Sequence, residues 1–263
     1  MTEGNSTTEN AEERLRSFFA QHMQVAVALS GGVDSTLLMR TAQQAGAQVR
    51  AYFVQTPLQP AFEAADARMI AESSGVELTV IPLDVLAVPE VAANGAERCY
   101  HCKRALLDAI VRKAQQDGYS LVVDGTNASD DANGRPGMRA LQELGVRSPL
   151  RESGITKAQV RELARNAELP TWNKPSYACL ATRIPCGEPL TNAALRATEQ
   201  AEDALHALGF SDFRVRRFHD CARLQLREEQ WSLLMRERAA VRKALLPFYD
   251  EVLLDLEVRD DER

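Results

Sequence analysis

Residues 25–39 read Val25-Ala-Val-Ala-Leu29, Ser30-Gly-Gly-Val-Asp-Ser35 and Thr36-Leu-Leu-Met39 without a break. The first run predicts a buried strand, and the last predicts the start of a helix. Gly31 and Gly32 allow backbone amides to approach a phosphate closely, and the N-terminus of the helix adds unpaired N–H groups and about half a positive charge. This context predicts an anion site, and a glycine turn with a capping residue is the alternative.

Asp34 lies inside this loop, where its carboxylate would repel a phosphate. The residue fits an anion site if it binds Mg²⁺ or orients the loop. The loop is not a GxxxxGK[ST] phosphate loop, because it lacks the lysine of that motif.

Short apolar runs alternate with amphipathic stretches through the first half of the chain. The predicted strands are 25–29, 49–54, 78–81 and 121–123, and the predicted helices are 35–45, 61–74 and 102–116. This order predicts a parallel sheet with helices on both faces, in which ligands bind beyond the carboxyl ends of the strands. Thr156 and Gln159 have capping-box spacing, so a further helix should begin at Thr156 and end before Pro170.

Residues 173–189 are rich in proline and glycine and predict an ordered loop that leads out of the parallel-sheet domain. Beyond it we predict a helix at 192–208, strands at 213–218 and 222–226, a helix at 228–245 and a strand at 251–256. This order predicts a small antiparallel α+β layer. We therefore expect an α/β domain with a parallel sheet over residues 1–187 and a smaller α+β domain over residues 188–263.

The bulk composition excludes several classes of protein. The 263 residues carry a formal net charge of −6, which gives no indication of nucleic-acid binding. No apolar run approaches the roughly 20 residues of a membrane span, and the first residues do not resemble a signal peptide. We expect a cytoplasmic protein without a membrane partner. Five cysteines, an odd number, indicate ligand or catalytic chemistry more than a disulfide framework.

Two cysteines, Cys99 and Cys102, lie in the segment RCYHCK at the start of a predicted helix. This spacing lets both sulfurs face one metal ion or cluster, and Arg98, Lys103 and the helix N-terminus favour their thiolates. A redox dithiol, half of a zinc site and two packing cysteines are the alternatives.

Cys179 lies in the segment PSYACLATR, four residues before Arg183. A thiolate beside a cation is a candidate nucleophile or sulfur donor, and a buried loop cysteine is the alternative.

Arg214, Arg216 and Arg217 lie on one predicted strand. Strand alternation sends Arg214 and Arg216 to one face and Arg217 to the other. The paired face suits the phosphate of a nucleotide, because guanidinium groups bind phosphate in bidentate fashion. An edge strand protected by charge and a site for an RNA backbone are the alternatives.

The segment SGGVDS resembles the signature of the PP-loop ATP pyrophosphatases. In that class the loop binds the pyrophosphate half of ATP while an acceptor oxygen attacks the α-phosphorus and forms an adenylate. The segment DGTN, residues 124–127, resembles the part of the chain that completes the nucleotide pocket. The resemblance implies that ATP binds, with Mg²⁺, at Ala28, Ser30, Gly31, Gly32, Asp34, Ser35 and Gly125.

The whole set of motifs, in order, resembles the LarE family of PP-loop sulfur transferases, which help to make the nickel-pincer nucleotide. The set also includes Arg135-Pro-Gly137, Arg147-Ser-Pro-Leu150 and residues 172–183, 208–210 and 214–216. The family converts the carboxylates of a pyridinium biscarboxylic acid mononucleotide into thiocarboxylates, while ATP gives AMP and pyrophosphate. The resemblance implies a homo-oligomer, a donor cysteine at Cys179, a catalytic role for Asp34, and substrate phosphate at Arg183, Arg214 and Arg216.

The cysteines bear on two mechanisms within that family. Members with only the donor cysteine surrender its sulfur, whereas members with an additional CxxC are thought to bind a 4Fe-4S cluster through three cysteines. The resemblance implies the cluster, with Cys99, Cys102 and Cys179 as ligands. Cys186 is a further candidate ligand, and Cys221 is expected to be inert. A tRNA thiolase of the PP-loop class, and a nucleotide-binding protein without catalysis, are the rival functions.

Overall fold

The computed structural model describes residues 3–130, 137–175 and 177–259. The strands are β1 (Gln24–Ala28), β2 (Gln48–Gln55), β3 (Glu77–Pro82), β4 (Val122–Val123), β5 (Arg214–Phe218), β6 (Cys221–Gln225) and β7 (Glu251–Leu254). The α-helices are α1 (Glu3–Ala20), α2 (Val33–Gln44), α3 (Ala61–Ser73), α4 (Pro89–Ala92), α5 (Arg98–Gln116), α6 (Gly137–Glu143), α7 (Pro149–Glu152), α8 (Lys157–Asn166), α9 (Asn192–Ala207) and α10 (Trp231–Leu245).

The first sheet has the strand order β3-β2-β1-β4, and each pair in it is parallel. Val25 and Val27 of β1 are buried in one core together with α1, α2, α3 and α8. Ala26, between them, is buried in a second core with α5 and α6. Successive side chains of a strand point to opposite faces, so the two cores lie on the two faces of the sheet. The predicted parallel sheet with helices on both faces is confirmed.

Most predicted helices agree with the structure within two residues, but α10 begins at Trp231 and not at residue 228, and α1, α4, α6 and α7 have no predicted counterpart. At α8, Thr156 Oγ1 accepts a hydrogen bond from Gln159 N, and Thr156 N donates to Gln159 Oε1 over 2.9 Å, which confirms the capping box. By contrast, α5 begins at Arg98, four residues before the predicted start at residue 102. The apolar periodicity of α5 begins only with its second turn, so the pattern does not mark the first one.

The second sheet has the order β5-β6-β7 and is mixed. Strands β5 and β6 form an antiparallel hairpin, whereas β6 and β7 pair in parallel. The prediction of a wholly antiparallel layer is wrong at β7. The reason is that α10 connects β6 to β7 as a helical crossover, which returns the chain to the end of the sheet where β6 began. One face of this sheet packs on α9 and α10 through Val215, Ala222 and Leu224.

The chain divides into two compact units. The first comprises Met1–Thr56, Ala61–Val85 and Cys99–Tyr177, and the second comprises Pro57–Pro60, Leu86–Arg98 and Ala178–Arg263. The domain boundary after residue 187 stays a prediction. No described helix combines the length and the apolar character that a membrane span requires.

Candidate functional site

The loop after β1 is shaped for close contact with an anion. Leu29 N donates to Tyr52 O over 2.9 Å, which extends the ladder to the carboxyl end of the sheet, where Ala28 ends β1. Gly31 has φ of +74°, a conformation that a residue with a side chain rarely adopts. Gly32 is the N-cap of α2 and has no side chain to bond the first amides of that helix. These amides are therefore available to a phosphate.

Hydroxyl groups hold the loop in this shape. Ser35 Oγ accepts a hydrogen bond from Ser30 N over 3.2 Å and lies 3.1 Å from Ser30 Oγ. Thr36 Oγ1 donates to Gly32 O over 2.8 Å. The two ends of the loop are thereby joined within the first unit, and both predicted serines belong to the same hydrogen-bonded group.

Gly125 lies directly against this loop. A Cβ atom at this position would lie 2.9 Å from Ser35 N and 3.1 Å from Asp34 Cβ. A side chain here would displace the backbone at the start of α2. The structure thus brings the segment after β4 beside the loop after β1, as expected for neighbouring parallel strands.

Asp34 makes two contacts across the site. Its carboxylate forms an ion pair with Lys157 Nζ, and its Oδ1 accepts a hydrogen bond from Asn127 Nδ2 over 3.0 Å. Lys157 is the first residue of α8, directly after the capping residue Thr156. Sequence reasoning missed Lys157 as a site residue, because nothing in its local pattern separates it from a solvent-exposed lysine. Its proximity to Asp34 arises only from tertiary packing.

Two further lysines pair with carboxylates beside the loop. Lys174 Nζ donates to Gly31 O over 2.9 Å and to Asp66 Oδ2 over 2.5 Å. Lys103 Nζ lies 3.2 Å from Asp124 Oδ2, and Asp124 is buried immediately before Gly125. Three lysines thus contact carboxylates around one anion-binding loop. A bound polyphosphate could exchange with these carboxylates, because an ammonium group accepts either partner.

The CxxC cysteines lie at the N-terminal end of α5. Cys99 is exposed, Cys102 is half-buried, and neither forms a disulfide. Residues three apart share one face of a helix, so the two sulfurs face the same side. Among the residues described, no group of three or more His, Cys, Asp or Glu side chains is arranged to hold a metal ion. The ligand set of the cluster stays a prediction.

Cys179 belongs to the second unit and precedes a 3₁₀ turn, Leu180–Arg183. Its side chain is half-buried and forms no disulfide. Its carbonyl accepts hydrogen bonds from Thr182 N over 2.9 Å and from Thr182 Oγ1 over 2.8 Å. Leu180 N also donates to Leu58 O over 2.9 Å, so the backbone around Cys179 is held from both sides.

Cys186 and Cys221 also form no disulfide. Burial raises the pKa of the Cys221 thiol, and so do the carboxylates of Glu251, Asp250 and Asp220. A raised pKa keeps this sulfur protonated at neutral pH, which supports the expectation that Cys221 is inert.

Arg183 is the largest fully buried side chain that the structure describes. Its guanidinium is bidentate to Glu202, with Nε–Oε1 at 2.9 Å and Nη2–Oε2 at 3.1 Å, and Nη1 donates to Ala178 O over 2.6 Å. The residue therefore fixes the segment that carries Cys179. Its predicted contact with a substrate phosphate stays a prediction.

Arg214 and Arg216 share one face of the second sheet, as predicted, because Val215 between them is buried in the core on the other face. Arg214 lies opposite Gln225, and its Nη1 donates to Phe213 O over 2.8 Å. Arg216 donates from Nε to Gln225 Oε1 over 3.0 Å and from Nη1 to Thr182 O over 2.8 Å. Of the remaining predicted motifs, Arg135 and Pro136 lie outside the described residues.

A parallel sheet of order β3-β2-β1-β4, whose β1 leads through SGGVDS into a helix, defines a PP-loop ATP pyrophosphatase domain. The asparagine synthase family model matches residues 11–128, which include this loop. The chain is 33% identical over 207 residues to the pyridinium-3,5-bisthiocarboxylic acid mononucleotide synthase of Lactiplantibacillus plantarum, covering 78% of this chain and 75% of that protein. It belongs to the LarE family of ATP-dependent sulfurtransferases.

Two other relatives extend over a similar share of the chain. An uncharacterized protein of Synechocystis sp. is 38% identical over 223 residues, which is 84% of this chain and 83% of that protein. An uncharacterized protein of Methanocaldococcus jannaschii is 27% identical over 241 residues, which is 90% of this chain and 91% of that protein. The similarity therefore includes both units.

Proposed function

We propose that this protein adenylates a carboxylate of pyridinium-3,5-biscarboxylic acid mononucleotide and replaces its oxygen with sulfur, consuming ATP and releasing AMP and pyrophosphate. The observation that carries the proposal is the loop built around Asp34 and Gly125, in a chain similar to a synthase of the corresponding bisthiocarboxylic acid mononucleotide. This reaction uses both the anion-binding loop and the cysteines.

In the first step, a carboxylate oxygen of the acceptor attacks the α-phosphorus of ATP, and the bond to the bridging oxygen breaks as pyrophosphate leaves. The amides of Gly32 and of the first turn of α2, with Ala28, Ser30, Gly31, Ser35 and Gly125 around them, bind the pyrophosphate. Asp34, now paired with Lys157, would be a ligand of Mg²⁺, which would neutralise phosphate charge, and the Lys157 ammonium would then be free to bind a phosphate oxygen. Lys174 and Lys103 stabilise negative charge that accumulates on the leaving group.

In the second step, a C–S bond forms at the activated carbonyl and the C–O bond to AMP breaks. With a cluster, the sulfur atom comes from inorganic sulfide and Cys179, held in place by Thr182 and Arg183, would be a cluster ligand; without a cluster, Cys179 would surrender its own sulfur. Cys99, Cys102 and Cys179 would hold a 4Fe-4S cluster, because their sulfurs are soft ligands and Cys99 and Cys102 share one helix face. When bound, such a cluster would supply sulfide to the activated carbonyl.

On the acceptor side, Arg214 and Arg216 bind the phosphate of the mononucleotide, because paired guanidinium groups suit a phosphate monoester. Arg183 would contribute to the same phosphate if its ion pair with Glu202 opened. We also propose that the protein forms a homo-oligomer, which light scattering of the purified protein would measure.

The test is to combine anaerobically purified protein with Mg-ATP, sulfide and the biscarboxylic acid mononucleotide. We expect pyrophosphate release that depends on the acceptor, and a product in which mass spectrometry finds sulfur in place of oxygen. Pyrophosphate release that instead requires tRNA, with thiolated nucleosides as product, would contradict the assignment. A protein that binds ATP without releasing pyrophosphate would contradict any catalytic role.

A further inference from the structure

The polar face of the second sheet carries more positive charge than the proposed function uses. Arg216 on β5 lies directly opposite Arg223 on β6. Residues directly opposite in an antiparallel pair share a face, and like charges in this position repel each other. We call the surface formed by Arg214, Arg216 and Arg223 the arginine face. A negative charge bound on this face would offset that repulsion.

Several buried guanidinium nitrogens at and near the arginine face have no hydrogen-bond acceptor. Arg259 donates from its backbone N to Leu226 O over 2.9 Å, and its Nη2 lies 2.8 Å from Asp212 Oδ1. Within the described part of the chain, Arg259 Nε and Nη1 and Arg223 Nε are buried and have no hydrogen-bond acceptor. A buried donor without a partner costs free energy, most of all when it is charged. Arg223 Nε reaches Asp255 Oδ2 only at 3.5 Å, an ion-pair distance without a hydrogen bond, and Arg259 Nε and Nη1 have no acceptor, so these donors can serve a ligand.

The carboxylates near this face do not balance its charge. Asp212 is shared by Arg227 and Arg259, and Asp255 Oδ2 lies 3.5 Å from Arg223 Nε. Burial lowers the pKa of Arg216, and the positive charges of Arg183, Arg223 and Arg259 lower it further. Because Arg183 is already paired with Glu202, the balance involves Arg216, Arg223, Arg227 and Arg259 against Asp212 and Asp255, which leaves a surplus of two positive charges among these side chains. The excess suits a dianion.

We propose that Arg223 and Arg259, together with Arg216, bind the phosphate monoester of the acceptor mononucleotide. The contact of Arg216 Nη1 with Thr182 O, 2.8 Å long, joins this site to the segment that holds Cys179. The phosphate is thereby fixed on the sulfur-donor side of the reaction and not at the loop that binds ATP. The identity of the acceptor rests on the proposed function, whereas the anion site rests on the guanidinium nitrogens without hydrogen-bond acceptors and on the excess of arginine over carboxylate.

A small dianion fits this face better than a nucleic acid does. The chain as a whole has a net charge of −6, and the excess positive charge is confined to one cluster on a three-stranded sheet. Binding of a nucleic-acid backbone requires an extended basic surface that contacts several phosphates. A phosphate monoester carries about two negative charges on three oxygens near neutral pH, which matches a few converging guanidinium groups.

The experiment measures binding of ribose 5-phosphate by calorimetry in the presence of saturating Mg-pyrophosphate, which occupies the ATP loop. We compare the wild-type protein with Arg223→Gln and Arg259→Gln. Arg236→Gln is the matched control, because it removes the same charge from an exposed position on α10. We expect each test variant to weaken binding about tenfold or more and the control to leave it unchanged. Ribose 5-phosphate should also raise the unfolding temperature of the wild-type protein more than that of the test variants.

Several results would overturn the proposal. These are absence of ribose 5-phosphate binding to the wild-type protein, equal binding by the test variants, or tRNA binding that the same variants abolish. A variant that unfolds is replaced by Arg223→Lys or Arg259→Lys, which keeps the charge and loses the bidentate geometry. If ribose 5-phosphate binds as expected but the biscarboxylic acid mononucleotide is not turned over, the anion site stands and the proposed function fails.

Discussion

Asp34 and Lys157 form an ion pair beside the loop that is to bind pyrophosphate. The side chains of Asp34 and Lys157 are 19% and 36% exposed, so solvent screens this pair and its own contribution to stability is small. We infer that the pair opens when the ligands bind. The Asp34 carboxylate would then bind a metal ion, and the Lys157 ammonium would bind a phosphate. Lys157 should therefore matter for turnover more than for folding.

Replacement of Lys157 by glutamine is expected to lower the rate of pyrophosphate release on the order of 10²-fold, because the pyrophosphate leaving group loses one positive charge that stabilises it. Asp34→Asn should have a similar effect through loss of the metal ligand. Lys113→Gln is the control, since Lys113 Nζ pairs with Asp117 Oδ1 over 2.6 Å at the end of α5. Initial rates at saturating Mg-ATP check this prediction. Unchanged rates in Lys157→Gln and Asp34→Asn would remove both residues from the mechanism.

The three cysteines give a prediction that separates the two sources of sulfur. With a cluster, anaerobic protein contains iron and sulfide, Cys99→Ala and Cys102→Ala lose sulfur transfer, and Cys221→Ala retains it. Pyrophosphate release should persist in all of these variants, because the thiols act after adenylation. Iron analysis and multiple-turnover product assays provide the measurement. Protein without iron, in which Cys179 loses about the mass of hydrogen sulfide after one turnover, would establish a sacrificial donor instead.

At the scale of elements, the approach of the segment after β4 to the start of α2 leaves no room for a side chain at residue 125. Gly125→Ala is expected to weaken ATP binding about tenfold or more, because its methyl group would lie 2.9 Å from the backbone nitrogen of Ser35. Gly95→Ala is the matched control, since a Cβ there meets no atom within 4 Å. Calorimetric titration with ATP would show the difference. Equal affinities would mean that α2 can move without cost.

The elements also show which features of the fold local sequence patterns can predict. The order of strands and helices, the capping box of α8 and the shared face of Arg214 and Arg216 follow from periodicity and spacing. The parallel pairing of β7 does not, because strand direction depends on where the crossover helix α10 returns the chain. The contact of Lys157 with Asp34 and the burial of Arg183 against Glu202 join residues distant in sequence. Such contacts are decided by packing, and no local pattern encodes them.

For the whole molecule, the net charge is negative, whereas the charge of the arginine face is positive. The chain has a net charge of −6, yet buried guanidinium nitrogens without a hydrogen-bond acceptor lie on Arg223 of the arginine face and on Arg259. A dianionic acceptor is repelled at long range and attracted only at contact. The two interactions respond differently to dissolved ions, because the Debye length is about 8 Å at physiological ionic strength and buried pairs are screened much less than exposed ones.

Salt should therefore change the association rate of the acceptor more than its dissociation rate. Raising the ionic strength from about 50 to about 200 mM is expected to leave the dissociation rate of ribose 5-phosphate nearly constant while the association rate holds or rises. Stopped-flow measurements of the two rates would check this. A nucleic-acid-binding protein behaves oppositely, since counterion release makes its affinity fall steeply over the same range. The arginine face would thus select small phosphorylated metabolites over long polyanions in the same solution.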